Sequence, residues 1–383
     1  MLEPKRYDHR FLLKLMNIPG LGPSRIQMIV EYPLDLEAFI RTAPWSELKR
    51  QFHSIPEKIV KEIKDFPYQK ALDRQLAIMD RYGIGMLSPG DPEYPLLLSR
   101  ITAPPPLLFY RGNPACLTRG MIAVIGTRRP STYGIEVTRQ MVSELVKGGN
   151  AGIVSGLAEG LDTVAHRTCL EHGGWTVSIL GTGPEHIYPA ANHGLAEEII
   201  KQGAIVTQFL PGSRINPGNF ALRNRMISGI SCAVLIMEAG LNSGSLITAR
   251  FAAGQNRPVF AVPGSILSSK SEGNNDLIRN QSAQCLTQAG QIMKSLPELF
   301  PDYRSDHSIA SVPVTAREYH ILKLMEQGSS HLVDIRCSLP GPVQYQLYDI
   351  LLKLELKGLI RQLPGMDYQL VSSNYQLQMD LTD

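Results

Sequence analysis

Between residues 121 and 264 the chain alternates short apolar runs with longer stretches of mixed polarity. MIAVIG (121–126), IVS (153–155), TVSILG (176–181), AIVTQF (204–209), AVLIMEA (233–239) and PVFAVPG (258–264) have the unbroken apolar character of strands buried on both faces. The segments between them, such as IEVTRQMVSELVKG and HGLAEEIIKQG, repeat apolar residues three and four positions apart, the spacing of an amphipathic helix. Regular alternation of strand and helix predicts an α/β core over 76–300, built on a parallel sheet covered on both faces. Ahead of the first of these strands, SPGDPEYPLLLSRITAPPPLLFYRGNP is rich in proline but too apolar for a free linker. It is expected to be an ordered extension packed on the sheet.

The two ends read differently. Residues 1–75 have helical periodicity, and FLLKLMNIPGLGPSRIQMIVEY is broken by Pro19-Gly20-Leu21-Gly22-Pro23. A Gly-x-Gly turn between short helices suits a helix-hairpin-helix (SAM-like) domain whose turn amides hold a backbone phosphate. It suits a plain helix connection with no ligand equally well. PDYRSDHSIASVP (301–313) has the composition of a linker. Over 314–383, TAREYHILKLMEQ, HLVDIRCSL and PGPVQYQLYDILLKLELKGLIRQ predict three helices, and LPGMDYQLV a turn and strand. Three helices and a β-wing make a winged helix, a module that binds DNA or docks proteins. Its presumed recognition helix (342–357) carries Lys353 and Lys357 as its cations.

Composition adds limits. A chain of 383 residues, 43% hydrophobic and 19% charged, is long enough for two or three domains with a substantial core. A formal net charge of +3 is too mild to argue for a nucleic-acid partner, so that argument rests on where the arginines and lysines fall. The first twenty residues lack the apolar stretch of a signal peptide, and no run approaches the roughly 18 apolar residues of a membrane span. Five scattered cysteines with no CxxC pair argue against a disulfide framework or zinc site and for reduced thiols in a cytoplasm. Nine histidines without an HExxH array leave metal catalysis little support.

The candidate chemistry lies at the strand ends, because ligands of an open parallel sheet bind beyond the carboxyl ends of its strands. The first strand leads into Gly126-Thr127-Arg128-Arg129, the second into Ser155-Gly156, and AVLIMEA into Asn242-Ser243-Gly244-Ser245. Small residues let a phosphate approach the backbone, and hydroxyls add donors. Neither GxxxxGK[ST] nor, in the first turn, GxGxxG is present, which disfavours a nucleotide hydrolase or a dehydrogenase. What stands in their place is arginine: Arg128 in the first turn, and Arg223 and Arg225 flanking Asn224 in NFALRNRMISGI, just after Phe220. Forked guanidinium donors suit phosphate oxygens, and an exposed aromatic stacks on a base. The competing assignments are core packing for Phe220 and a solvated or ion-paired surface for the arginines. Asp162 and His166 share a helix face, four residues apart. They read better as structural hydrogen-bonding residues than as an acid–base pair, and no nucleophile with a base is legible.

Taken in order, IAVIGTRRPSTYG, IVSGLAEGLDTVAH, ILGTGPEHIYPAANHGL, LRNRMISGIS, EAGLNSGSLITARFA and VFAVPGSILSSKSEGNNDLI resemble the bacterial DNA-processing protein A family, also called DprA or Smf. GDPEYP, LLFYRGNP and both flanking segments fit as well. The resemblance implies an extended Rossmann-like core that binds single-stranded DNA, no catalytic activity, no cofactor or metal, and a cytoplasmic homodimer. It implies a role in natural transformation, in which the protein protects incoming strands and loads the RecA recombinase onto them. The family's DNA pocket carries over to Gly126, Thr127, Arg128, Ser155, Gly156, Phe220, Arg223, Asn224, Arg225, Ser243, Gly244 and Ser245. In that reading Arg128 and Arg225 hold phosphates and Phe220 stacks a base. The chain departs from the family pattern at Glu159, where arginine is usual, at Ala221, where proline is usual, and over Thr207-Gln208-Phe209-Leu210. A related group, the phosphoribohydrolases, offers an enzymatic alternative, but EAGLNSGSLITA lacks that group's glycine doublet and catalytic acid.

Overall fold

Each of the six apolar runs contains a strand of one large sheet in the computed structural model of the protein. The structure describes residues 8–30, 36–149, 151–301, 312–326, 330–344, 346–357, 359–363, 366–370 and 377–379. The chain divides into two compact units, Met1–Asp302 and Tyr303–Asp383.

The sheet of the first unit contains β1 (Gly85–Leu87), β2 (Leu108–Gly112), β3 (Met121–Ile125), β4 (Gly152–Ser155), β5 (Thr176–Ile179), β6 (Ala204–Thr207), β7 (Ala233–Ile236), β8 (Val259–Ala261) and β9 (Gln284–Cys285). Their order across it is β1-β2-β6-β5-β4-β3-β7-β8-β9. From β6 to β9 every neighbouring pair is parallel, whereas β2 runs antiparallel to β6 and to β1. β3 to β7 are buried along their whole length, because helices cover both faces, and this produces continuous apolar runs where a half-exposed sheet would alternate.

The chain lays down β3, β4, β5 and β6 outward in one direction. It then returns to place β7 directly against β3, with Ile122 opposite Ala233 and Ile125 opposite Ile236. That reversal is a topological switch point. The loops leaving β3 and β7 must diverge there, so a crevice opens beyond the strand ends.

The proline-rich extension adopts more regular structure than its composition suggests. LFYRG forms β2, pairing Phe109 with Thr207, and β1 adds outside it. β1 is the edge strand and β2 lies next to it, and both are too short for a clear hydrophobic period. Leu107 and Phe109 are buried in a second hydrophobic cluster with the N-terminal helices His9–Met16, Pro23–Val30, Leu36–Thr42, Trp45–Gln51, Glu57–Asp65 and Gln69–Tyr82. The Gln69–Tyr82 helix runs uninterrupted through position 75, since Leu72 and Met79 both bury in that cluster. The turn joining the first two helices places Gly20 at φ +81°, a left-handed conformation open to glycine, and Arg25 Nη1 donates to the Gly20 carbonyl at 2.6 Å.

In the second unit, helices Ala316–Glu326, Leu332–Cys337, Gly341–Gln344 and Leu347–Leu356 share a core that includes Ile321, Ile335, Leu347 and Leu354. β11 (Ile360–Leu363) and β12 (Asp367–Leu370) form an antiparallel hairpin, and β10 (Val312–Val314) pairs in parallel with β13 (Leu377–Met379). The helix expected over 342–357 is thus two helices, and residues 302–311 of the expected linker lie outside the described residues. Lys353 and Lys357 are engaged within the unit. Lys353 pairs with Asp349 at 2.8 Å, and Lys357 with the buried Glu318 at 2.7 Å. All five cysteines are free thiols. Among the described residues no helix is long and apolar enough to cross a membrane, and no His/Cys/Asp/Glu cluster could hold a metal.

Candidate nucleic-acid interface

The crevice at the switch point is a groove of about 740 Å³, bounded by the loops after β3, β7 and β8 and by the start of helix Pro217–Ile230. The first turn is tied down on both sides. Thr127 N–H donates to the Glu238 carbonyl at 2.8 Å, and the Thr127 carbonyl accepts from Leu161 N–H at 3.2 Å. Gly160, at φ +83°, lets the second loop press against this turn; a Cβ there would collide with the Thr127 carbonyl and with Arg128. The side chains of Arg128 and Arg129 therefore extend from a braced backbone into solvent, and both line the groove.

Of the helices that begin around this crevice, three follow directly on the loops after β3, β4 and β7, and two of their positive ends are already matched by the protein's own carboxylates. Glu238, only 2% exposed, accepts from Ser131 N–H at 2.8 Å and from Ser131 Oγ at 2.6 Å, at the start of helix Thr132–Gly148. Asp162, in the first turn of helix Leu161–Glu171, accepts from Gly156 and Ala158 N–H at 3.1 and 3.3 Å. Burial pushes the Asp162 carboxyl above the usual range, against the pull of Arg223 and those amides. The third start, helix Gly244–Gly254, is capped by Ser243, whose Oγ accepts from Ser245 N–H. Ser243, Gly244 and Ser245 face the groove with no carboxylate of this kind, so its positive helix end lies open to an external anion.

The expected site residues separate on inspection. Gly126, Thr127, Arg128, Phe220, Arg223, Asn224, Ser243, Gly244 and Ser245 all line the groove. Gly156 lines a small adjoining recess with Arg128, Glu159, Tyr188 and Phe220. Ser155 and Arg225 are in neither. Ser155 is fully buried, its Oγ donating to the Val124 carbonyl at 2.7 Å, and Arg225 Nη1 donates to the carbonyls of Thr102 and Ala103 at 2.6 and 3.0 Å. Arg223 lines the groove but is only 4% exposed, and its Nη1 donates to the Gly156 and Ile179 carbonyls at 2.5 and 2.6 Å. Burial, reinforced by the nearby Arg128 cation, pushes its guanidinium down to about 10 against the attraction of Asp162. Its role is to brace the floor. Asn224 Nδ2 donates to the Gly244 carbonyl at 3.3 Å, joining the two helices that flank the crevice.

Phe220 is half-buried over Gly181 and lies 5.5 Å, ring centre to ring centre, from the exposed Tyr188. Tyr188, Lys270 and Glu238 were not singled out in the sequence, where Arg129 appeared only as part of the first turn. Lys270 follows β8, and the rule that ligands bind beyond strand ends reaches it once that strand is compared with the others. Tyr188 and Glu238 are brought in by tertiary folding, with no local motif to announce them. Exposed Arg128, Arg129 and Lys270 outweigh the one exposed carboxylate lining the groove, Glu272. Asp162 and His166 share the helix without forming a catalytic pair: His166 Nδ1 meets Thr176 Oγ1 at 2.7 Å, and burial, then Arg223, holds its imidazole down to about 3.

The profile of the DNA recombination-mediator protein A family matches residues 85–297, which span β1 to β9 and the whole groove. The chain belongs to that family. The protein called Smf in Synechocystis is 36% identical over 296 residues, covering 76% of this chain and 73% of that protein. The DNA processing protein DprA of Bacillus subtilis is 37% identical over 238 residues, covering 62% and 79%. Among solved structures, DNA processing protein A from Streptococcus pneumoniae superposes with a TM-score of 0.66 at 31% identity, over 76% of this chain and 98% of that one. DNA processing protein A from Helicobacter pylori, described for its single-stranded DNA binding mode, gives 0.52 at 30% identity over 58% and 98%.

Proposed function

We propose that this protein binds single-stranded DNA along the switch-point groove and acts in recombination by presenting that strand to a RecA-type recombinase, without converting it chemically. The observation that carries this reading is the division of labour at the crevice. Two helix ends hold internal carboxylates, while the third, with Arg128, Arg129 and Lys270, faces outward. A polymer can place successive phosphates along such a spread of donors, and Phe220 with Tyr188 supplies an aromatic surface for a base. The relative described for its single-stranded DNA binding supports the same ligand. The hairpin of β11 and β12 after the helices of the second unit supports a winged helix. There the internal pairing of Lys353 and Lys357 favours protein docking over phosphate contact. Fluorescence anisotropy with a labelled oligothymidylate, titrated with salt, tests the reading. Affinity is expected to fall steeply as salt rises, and Arg128→Ala is expected to weaken it about tenfold, one charge-assisted contact's worth. Equal binding by wild type and variant would remove the groove from the assignment.

A further inference from the structure

The turn after β8 reads SILSSK over residues 265–270, and its tip is Ile266 and Leu267, 89% and 93% exposed. Among the described residues these are the most exposed large hydrophobic side chains. A tip shaped only for water carries polar residues, so an aliphatic pair there calls for an occupant. The tip is also held in place. Asn275 grips Gly264 twice, accepting from its N–H at 3.2 Å and donating to its carbonyl at 3.0 Å, and Tyr133 Oη donates to the Pro263 carbonyl at 2.8 Å. Within the turn, Leu267 N–H donates to Ser265 Oγ at 3.2 Å and Ser268 N–H to the Ser265 carbonyl at 3.1 Å.

Two hollows flank this turn. Ser269 and Lys270 line the basic groove. Ser265, Ser268 and Ser271 line a second, open hollow of about 570 Å³ together with Ser131 and Tyr133. Ile266 and Leu267 line neither, so the pair stands as a ridge between a cationic groove and a hydroxyl-rich one.

We infer that Ile266 and Leu267 form an apolar ridge across which bases of a bound single strand pass, while Lys270 and Ser269 hold the phosphates beside them. The inference rests on the reading of the groove as a DNA site and extends it to the bases. An unpaired base has an apolar face that water solvates poorly, and aliphatic side chains serve as wedges against such faces in other nucleic-acid complexes. A ridge ordered before binding loses little entropy on contact. Because every base has such a face, the contact adds affinity without reading sequence.

The test compares wild type with the double variant Ile266→Ser, Leu267→Ser on two labelled strands of equal length, oligothymidylate and an abasic strand of the same backbone. The variant is expected to bind oligothymidylate about tenfold more weakly, the scale of losing partial burial of two aliphatic side chains, with an unchanged salt slope and melting temperature. Wild type on the abasic strand is expected to bind less tightly than on oligothymidylate, and the variant to lose nothing further there. The inference is overturned if the variant matches wild type on oligothymidylate, or if it loses as much on the abasic strand. It is also overturned if sedimentation shows a wild-type dimer that the variant no longer forms, because the ridge then serves a second copy of the chain. Failure of wild type to bind either strand would remove the DNA reading and this inference together, whereas a binding wild type with an unaffected variant removes the ridge alone.

Discussion

Arg128 and Arg223 illustrate how one side-chain type does two jobs in one groove. Arg223 spends its donors on the Gly156 and Ile179 carbonyls inside the protein, so Arg223→Ala is expected to lower stability by about 3 kcal/mol through lost charge-assisted bonds, read as a fall in the urea midpoint. Arg128 is exposed, and its truncation is expected to weaken DNA binding with no change in that midpoint. Sequence placed both near the crevice because both follow from the LRNR and GTRR motifs. It could not separate them, since burial is decided by what packs above a residue and not by its neighbours in the chain. His166 carries a pH signature of its own. Its imidazole is neutral in the folded protein, held at about 3, while the unfolded chain binds that proton near its ordinary value of about 6.5. Stability present above that higher value is therefore lost as pH falls from there towards 3, by up to about 1.4 kcal/mol per unit for this one group. His166→Asn, which keeps a polar atom towards Thr176 Oγ1, is expected to flatten that part of the profile of urea midpoint against pH.

At the scale of elements, the strands with continuous apolar runs were legible and the mixed ones were not. β3 to β8 all coincide with the expected runs, β4 starting one residue early at Gly152, because burial on both faces demands an unbroken apolar sequence. β1, β2 and β9 sit at or near the sheet edges, three, five and two residues long, with no such demand. The loop Gly156–Gly160 carries a charge of the opposite sign to the groove's arginines. Glu159 is exposed in the recess beside Arg128 and Tyr188, where it sets a negative charge against an incoming phosphate. Glu159→Arg is expected to tighten binding to oligothymidylate and to steepen the salt dependence by about 0.7 in logarithmic slope per added phosphate contact. Anisotropy titrations at several salt concentrations give that slope directly.

For the whole molecule, a formal charge of +3 over 383 residues means that any affinity for DNA is local, concentrated where Arg128, Arg129 and Lys270 converge. Three such contacts to a single strand correspond to a logarithmic salt slope of about −2, modest beside that of proteins which coat duplexes. Because the groove is built entirely within Met1–Asp302, a chain ending there is expected to keep its affinity for oligothymidylate to within about threefold, a difference of well under 1 kcal/mol. A larger loss in the same titration would assign phosphate contacts to the second unit.

Glu238 has a consequence for selectivity. Free nucleotides carry phosphates like those of the proposed ligand, and the first helix of such a sheet is the place where a dinucleotide would lodge its pyrophosphate. With the Glu238 carboxylate already seated on Ser131 there, a small competitor is left the Gly244–Gly254 helix end and the dispersed cations, which it is too short to engage together. On the proposed function, a seat already filled by the protein's own carboxylate would favour a polymer over a monomer.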